Sequence, residues 1–338
     1  MILSVQTEKF VYPVYLERHV LRRAGELLDL GRKCMIVTDE NIPSSYVDKV
    51  RRQCGAPSLF VLSPGEKSKT LSSYEAILKK MLEEGFTRTD CVIALGGGVV
   101  GDLAGFVAAT YLRGVDFYNI PTTVLSQVDS SIGGKVAVNF GGLKNMVGAF
   151  YPPKGVLIDP DTLESLPPRQ IANGLAEAVK MAMTFDEAFF SRFETGDVRE
   201  NMEKIIEKSL LVKKTVVEQD EKEAFLRRVL NFGHTLAHAV ESEKSRTEDP
   251  LYHGECVALG MIPMCSPEAR ARLLPVLKKL GLPTRAGIPG KDLKRALSHD
   301  KKMRGKDITL IRVDRVGSYR TETLPFSEFM KEVEEMTL

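Results

Sequence analysis

In the stretch Arg227-Arg-Val-Leu-Asn-Phe-Gly-His-Thr-Leu-Ala-His238, the residues Arg227, Asn231, His234 and His238 recur at intervals of four, three and four. Read as a helix, that spacing lines them along one stripe. A solvated stripe is normally built from Glu and Lys, whereas this one uses two of the chain's five histidines, so it reads as a site. The device recurs in residues 171–184, where Asn173, Glu177, Lys180 and Thr184 share the spacing among small and apolar neighbours. An exposed Glu177–Lys180 ion pair accounts for that helix equally well. His253, in Tyr-His-Gly-Glu255, opens a third helix. With Glu177 and His234 it would supply one oxygen and two nitrogen ligands and leave positions open, as a catalytic divalent ion requires. The separations are too long for a spacing motif, and a lone loop histidine is the plain alternative.

A glycine cluster, Gly96-Gly-Gly-Val-Val-Gly-Asp102, directly follows an apolar run ending at Leu95. Glycines there let backbone N–H groups approach phosphates, and the helix start beyond adds its dipole. Gly96, Gly98 and Gly101 satisfy GxGxxG, but the acidic residue expected about 20 positions on is missing, since Asp116 opens its strand instead of closing it. The cluster is therefore read as a variant dinucleotide loop, with a tight structural turn as the alternative. Asp39 is better placed to take ribose hydroxyls, or equally well caps a turn in Thr38-Asp-Glu-Asn41. Pro64-Gly-Glu-Lys-Ser-Lys69 occupies a similar strand end, where ligands of open sheets collect. Between the halves, Val128-Asp-Ser-Ser-Ile-Gly-Gly-Lys135 and Gly142-Leu-Lys-Asn145, with Arg113 nearby, suit an anion-binding loop.

The elements that must position these residues follow from periodicity. Apolar runs at 33–38, 58–62, 91–95 and 116–120 read as buried strands, with helices at 46–53 and 71–84 between them, an alternation that implies a doubly wound parallel sheet. Helices are expected at 168–183, 201–218, 223–241, 255–264 and 267–280, followed by a hairpin within 308–323 and a last helix at 327–335. The fold class is thus α/β, a Rossmann-like domain over 1–155 and a mainly helical domain over 156–338, with the active site in the cleft between them. At 338 residues, 43% hydrophobic and 27% charged, the chain can bury two cores. Lys plus Arg number 47 against 45 Asp plus Glu, which gives no electrostatic footprint for nucleic acid or membrane. Five cysteines without a CxxC pair, and a start without a signal-peptide pattern, set a cytoplasmic expectation.

Taken together, the glycine cluster, Pro121-Thr-Thr, Val128 to Lys135, Lys144-Asn145, Gly174-Leu-Ala-Glu177 with Lys180, Asn231-Phe-Gly-His-Thr235 with His238, and His253-Gly-Glu255 resemble, in order and spacing, the 3-dehydroquinate synthase family of sugar-phosphate cyclases. The resemblance runs from about Asp39 to Lys302. It implies the fold shared with iron-dependent alcohol dehydrogenases and a divalent metal, zinc or cobalt, on Glu177, His234 and His253. It implies NAD held by Asp39, by Glu66, Lys67, Ser68 and Lys69, by Gly98, Val99, Val100, Gly101 and Asp102, by Thr122 and Thr123, by Lys135 and Lys144, and by Thr162, Leu163, Glu164 and Ser165. The substrate implied is 3-deoxy-D-arabino-heptulosonate 7-phosphate of the shikimate pathway. Lys135, Asn145, Asn231, His238 and Arg113 would surround its phosphate, with Arg113 reaching across from the second subunit of a homodimer. Lys213, Arg227 and one of Lys301 or Lys302 would meet its carboxylate, and Asp129 and Lys180 the hydroxyls near the metal. Catalytic roles fall to Asp129, Lys135, Lys180, Arg227, Asn231 and His238. Against the family pattern, the segment after His253 is short, and Pro263 is expected to end its helix early. The rival readings are a metal-dependent polyol dehydrogenase, another sugar-phosphate cyclase and a non-catalytic nucleotide-binding module.

Overall fold

A computed structural model describes residues 1–244, 249–299 and 307–338. Lys301 and Lys302 lie outside the described residues. The chain forms two compact units, Met1–Pro167 with Lys213–Lys222, and Pro168–Val212 with Glu223–Leu338.

The first unit contains β1 (Ile2–Gln6), β2 (Val11–Leu16), α1 (Ala24–Leu27), β3 (Lys33–Asp39), α2 (Ser44–Arg51), β4 (Ala56–Leu62), α3 (Leu71–Glu83), β5 (Cys91–Gly96), α4 (Gly98–Thr110), β6 (Asp116–Pro121), β7 (Lys135–Phe140), β8 (Leu143–Phe150) and β9 (Gly155–Ile158). Among the described residues seven strands form one sheet in the order β1-β2-β9-β6-β5-β3-β4, parallel except for the β1–β2 hairpin. β5 is buried along its whole length because both faces are covered, which is why its sequence is a continuous apolar run. Alternate residues serve different layers. Met35, Val37, Val92 and Ala94 join the core containing Ile77, Met81 and Leu103, while Cys34, Ile36, Cys91 and Ile93 join the core containing Ala24, Val47 and Val50. Since β9 belongs to the sheet, this unit runs to Pro167, past the expected boundary at 155/156. Of the segments expected as an anion-binding loop, Val128–Ser130 lies in the helical turn Ser126–Ser130, and Lys135 and Leu143–Asn145 fall in the β7–β8 hairpin, turned by Gly141 and Gly142 at φ 61° and 76°.

The second unit is mainly helical: α5 (Pro168–Phe185), α6 (Glu187–Thr195), α7 (Met202–Gln219, grouped with the first unit from Lys213), α8 (His234–Lys244), α9 (His253–Met261), α10 (Pro267–Lys279), α11 (Gly290–His299), the hairpin β10 (Asp307–Arg312) and β11 (Arg320–Pro325), and α12 (Phe326–Glu334). The continuous helix expected over 223–241 does not form. A 3-10 turn covers Leu226–Asn231, Phe232 is extended, and Gly233 takes φ 77° before α8 begins. The reason is packing: a Cβ at Gly233 would lie 2.9 Å from the Met261 nitrogen, so only glycine lets the chain turn this close to α9. α9 ends at Met261, two residues before Pro263.

Candidate active site

In the first unit the connections run from β3 outward to β4 on one side and from β5 to β6 on the other. The switch lies between β3 and β5, the crevice where open sheets hold ligands. Asp39 ends β3 there; its Oδ1 accepts from the Asn41 backbone N–H at 2.9 Å, and burial pushes its carboxyl pKa up. Gly96 ends β5, and a Cβ on it would lie 2.7 Å from Val100 Cγ2, so the first turn of α4 can fold back only over glycine. Gly97 precedes α4 with no side-chain cap, which leaves the N–H groups of Gly98, Val99 and Val100 to an anion. Thr122 Oγ1, just past β6, is buried with no hydrogen-bond partner. An uncapped helix start beside an orphaned hydroxyl fits a dinucleotide.

The other residues expected around NAD are held in place by the fold itself. Lys69 Nζ donates to Asp102 Oδ2 and to Asn145 Oδ1, both at 2.5 Å, and burial raises the Asp102 carboxyl against the pull of Lys69. Glu66 Oε1 accepts from Asn139 Nδ2 at 2.7 Å, and Ser68 Oγ donates to the Ser63 carbonyl. Thr123 Oγ1 meets Ser126 Oγ at 2.7 Å, and Ser165 Oγ donates to the Thr162 carbonyl. Leu163 is buried, while Lys67, Lys144 and Glu164 are exposed. Lys135 is exposed and lines a recess shared with Gly101, Asp102, Asn119 and Ser131. Gln127 escaped the sequence reading. It is fully buried, and its Nε2 donates to the carbonyls of Pro121 and Asp159 and to Thr162 Oγ1 at 3.0–3.1 Å, tying the end of β6 to the turn after β9. No periodicity could have flagged one glutamine among the serines, threonines and valines of residues 122–131.

Asp129, on the turn Ser126–Ser130, forms an ion pair with the largely buried Lys213. Arg113 stands apart from these residues. It closes the 3-10 turn Tyr111–Arg113 that follows α4, at φ 69° next to Leu112 at φ 50°, and the 13 residues of α4 put about 20 Å of helix between it and the glycine loop.

In the second unit Glu177, mid-way along α5, faces His234 and His253, the first residues of α8 and α9. One ligand atom from each lies within 4.8 Å of the others. Glu177 Oε1 is 3.6 Å from His234 Nε2 and 3.4 Å from His253 Nε2, and Lys180 Nζ rests on Oε2. Glu177 and Lys180 are 1% and 2% exposed, so the alternative of a solvated ion pair is excluded. Both carboxylate oxygens are buried, with the Lys180 ammonium on Oε2 and the two imidazoles facing Oε1. His234 Nδ1 lies 3.2 Å from the Phe232 carbonyl, which fixes the tautomer with the Nε2 lone pair toward Glu177. His253 Nδ1 lies 3.8 Å from Glu241 Oε2. A buried carboxylate beside two oriented imidazoles is a donor set that a divalent ion fits. Burial and the Lys180 charge drive the His234 pKa down to about 3. Burial likewise opposes charge on His253, but Glu177 and Glu241 lift it to about 9. Burial also opposes ionisation of Glu177, yet Lys180 and the two imidazoles hold its pKa well below the usual carboxylate range.

The ligand geometry depends on close helix contacts. Gly254 N donates to Asn173 Oδ1 at 2.6 Å, and a Cβ at Gly254 would lie 2.9 Å from that same Oδ1, so α9 starts against α5. Arg169 grips Glu255 at 2.7 and 2.9 Å, and Glu255 in turn caps the Tyr252 N–H. Asn173 and Thr184 therefore serve structure: the first anchors α9 and the second bonds back to the Lys180 carbonyl. His238 lies one turn from His234, with ring centroids 5.9 Å apart. Arg227 is buried and Asn231 Nδ2 donates to Glu223 Oε1 at 2.7 Å. These two sit on the 3-10 turn and not on the helix of His234 and His238, which corrects the single stripe read from spacing. Glu241 is the other residue the sequence reading passed over.

The chain matches the family model described as 3-dehydroquinate synthase N-terminal over residues 59–173 and that described as 3-dehydroquinate synthase C-terminal over residues 174–303. The 3-dehydroquinate synthase of Ruminiclostridium cellulolyticum is 39% identical over 325 residues, covering 90% of this chain and 89% of its own. Among solved structures, 2-deoxy-scyllo-inosose synthase complexed with carbaglucose-6-phosphate, NAD+ and Co2+ superposes with a TM-score of 0.86 at 24% identity, over 100% of both chains. The 2-epi-5-epi-valiolone synthase of Streptomyces hygroscopicus with NAD+ and Zn2+ bound gives 0.85 at 25% identity, over 98% of this chain and 97% of that one.

Proposed function

The chain belongs to the 3-dehydroquinate synthase family, and we propose that it converts 3-deoxy-D-arabino-heptulosonate 7-phosphate to 3-dehydroquinate and phosphate, as a carbon–oxygen lyase of the shikimate pathway. The observation that carries this reading is the buried Glu177 carboxylate held between His234, His253 and Lys180.

Phosphate leaves an unactivated carbon poorly, and a neighbouring ketone makes the proton that elimination removes acidic. NAD supplies a hydride acceptor that is restored within the turnover, and the divalent ion, zinc or cobalt, supplies Lewis acidity at the oxygen concerned. In this reading Glu177, His234 and His253 hold the ion. The crevice at Asp39, the start of α4, Thr122, Thr123 and the 3-10 turn Pro160–Ser165 hold NAD. Lys180 Nζ, already fixed on Glu177, would stay beside the ion as an ammonium and donate a hydrogen bond to a substrate oxygen. Asp129 and Lys180 orient the substrate hydroxyls. Lys213, Arg227 and one of Lys301 or Lys302 receive the carboxylate, and the Lys213–Asp129 ion pair keeps that ammonium compensated until substrate arrives. Lys135, Asn145, Asn231 and His238 take the phosphate. Arg113, far from the glycine loop of its own chain, fits a contribution to the second subunit of a cytoplasmic homodimer.

The test is phosphate release from the heptulosonate phosphate with and without chelator. The reading expects chelator-sensitive release with no accumulation of NADH. Steady NADH formation from a simple polyol would replace it with a dehydrogenase, and faster turnover of sedoheptulose 7-phosphate or glucose 6-phosphate would replace it with another cyclase.

A further inference from the structure

A separate cluster of reactive side chains lies in the first unit, at the end of strands β3 and β5 opposite Asp39 and the glycine loop. Cys34 sits near the start of β3, Cys91 opens β5, and Cys54 lies in the turn from α2 to β4. Cys34 and Cys91 are fully buried, whereas Cys54 is partly exposed. The Cys91 thiol donates to Cys34 Sγ at 3.4 Å, and the Cys54 thiol, whose Sγ donates to the Val50 carbonyl at 3.5 Å, is the other thiol acting on Cys34. Those two thiols hold the Cys34 pKa below that of an ordinary thiol, against the effect of burial, and the Arg32 guanidinium adds to their pull. A cysteine serving only as a small apolar residue needs no sulfur partner, yet three of the chain's five cysteines, far apart in sequence, converge here. Cys34 and Cys91 are also register partners on adjacent parallel strands. Neighbouring strands lie about 4.8 Å apart, within the roughly 4.4–6.8 Å Cα separation that a disulfide spans, and both side chains point to one face.

We propose that Cys34 and Cys91 form a reversible cross-strand disulfide, with the partly exposed Cys54 marking the side from which a small oxidant enters. With hydrogen peroxide, the Cys34 thiolate attacks one peroxide oxygen, giving a sulfenic acid and hydroxide. The Cys91 sulfur then attacks the Cys34 sulfur, and the departing hydroxide takes the Cys91 proton. Two thiols and one peroxide become one disulfide and two waters, and a dithiol such as dithiothreitol reverses the step by exchange. The bond would cross-link the two strands whose far ends carry Asp39 and Gly96, and it would shorten the unfolded chain between residues 34 and 91.

The full chain is treated with a small excess of peroxide, the remaining thiols are alkylated, and the unreduced digest is mapped by mass spectrometry alongside a thermal melt. The expected result is loss of two of the five thiols, a Cys34–Cys91 linked peptide, and a melting temperature several degrees higher that returns to its starting value with dithiothreitol. The Cys91→Val variant, close in volume, is expected to show no such gain. The proposal is overturned if all five thiols survive, if Cys34 is linked to Cys54, if Cys256 or Cys265 reacts as fast, or if oxidised Cys91→Val gains the same stability.

Discussion

Replacing Glu177 by glutamine keeps its shape and removes one charge. The carboxylate faces His234 Nε2 and His253 Nε2 at 3.6 and 3.4 Å, and at an effective permittivity of about 20 a full charge at such separations is worth about 5 kcal/mol. A divalent ion bound among these atoms therefore loses at least about 5 kcal/mol in Glu177→Gln. At about 1.4 kcal/mol per factor of ten, its affinity falls by more than about a thousandfold. The substitution also leaves the Lys180 ammonium, 2% exposed, without its counter-charge, and breaking a buried pair from one side costs about 3–5 kcal/mol. Metal-free Glu177→Gln should thus melt well below metal-free wild type. Removing both charges in Glu177→Gln/Lys180→Met should recover much of that loss without recovering metal binding. Zinc affinity is read by competition with a chromogenic chelator and stability by calorimetry in EDTA. Zinc binding within tenfold of wild type in Glu177→Gln would refute the metal site, and a double variant no more stable than the single one would refute the buried-pair argument.

With a pKa of about 9 in the metal-free protein, His253 is protonated at neutral pH, while His234, near 3, is neutral. Metal binding at pH 7.5 should release about one proton, and affinity should rise about tenfold per pH unit until pH 9 and then level off; calorimetry in two buffers of different ionisation heat that finds no proton release contradicts this. Glu241→Gln removes the carboxylate beside His253 Nδ1 and should weaken metal binding about 10–100-fold, measured by the same chelator competition. Gln127→Leu takes a buried donor from the Pro121 carbonyl and cuts the tie to Asp159 and Thr162, and should weaken NAD binding by about 1–3 kcal/mol at unchanged metal content, so an unaltered NAD titration sinks its positioning role.

What the sequence made legible tracks how local each signal is. Strands β3, β5 and β6 announced themselves because burial on both faces demands near-continuous apolar runs, and the edge strand β4 through its short apolar stretch Leu59–Leu62. β2 did not, since Pro13 interrupts it, and β9 is four residues following two prolines. The hairpin of β7 and β8 read as a flexible loop because its glycines and lysines resemble one. Polar spacing led to His234 and His238, but a period of 3.6 carried across Gly233 joined two elements that the contact with α9 keeps separate. Glu177 and Lys180 were visible as a pair, and only tertiary packing decided that they are buried. Gln127 and Glu241 act on partners distant in sequence, so no local pattern could mark them.

The placement of Lys180 has a consequence for the life of the protein between turnovers. Its ammonium on Glu177 acts as a spare cation that never leaves the chain. Removal of the ion therefore does not expose the helices α5, α8 and α9 to an uncompensated negative charge, and the helical unit should survive repeated stripping and reloading. The same lysine stays beside the ion when it returns, so the site trades some tightness of binding for exchange, and occupancy should follow the metal supply around the enzyme.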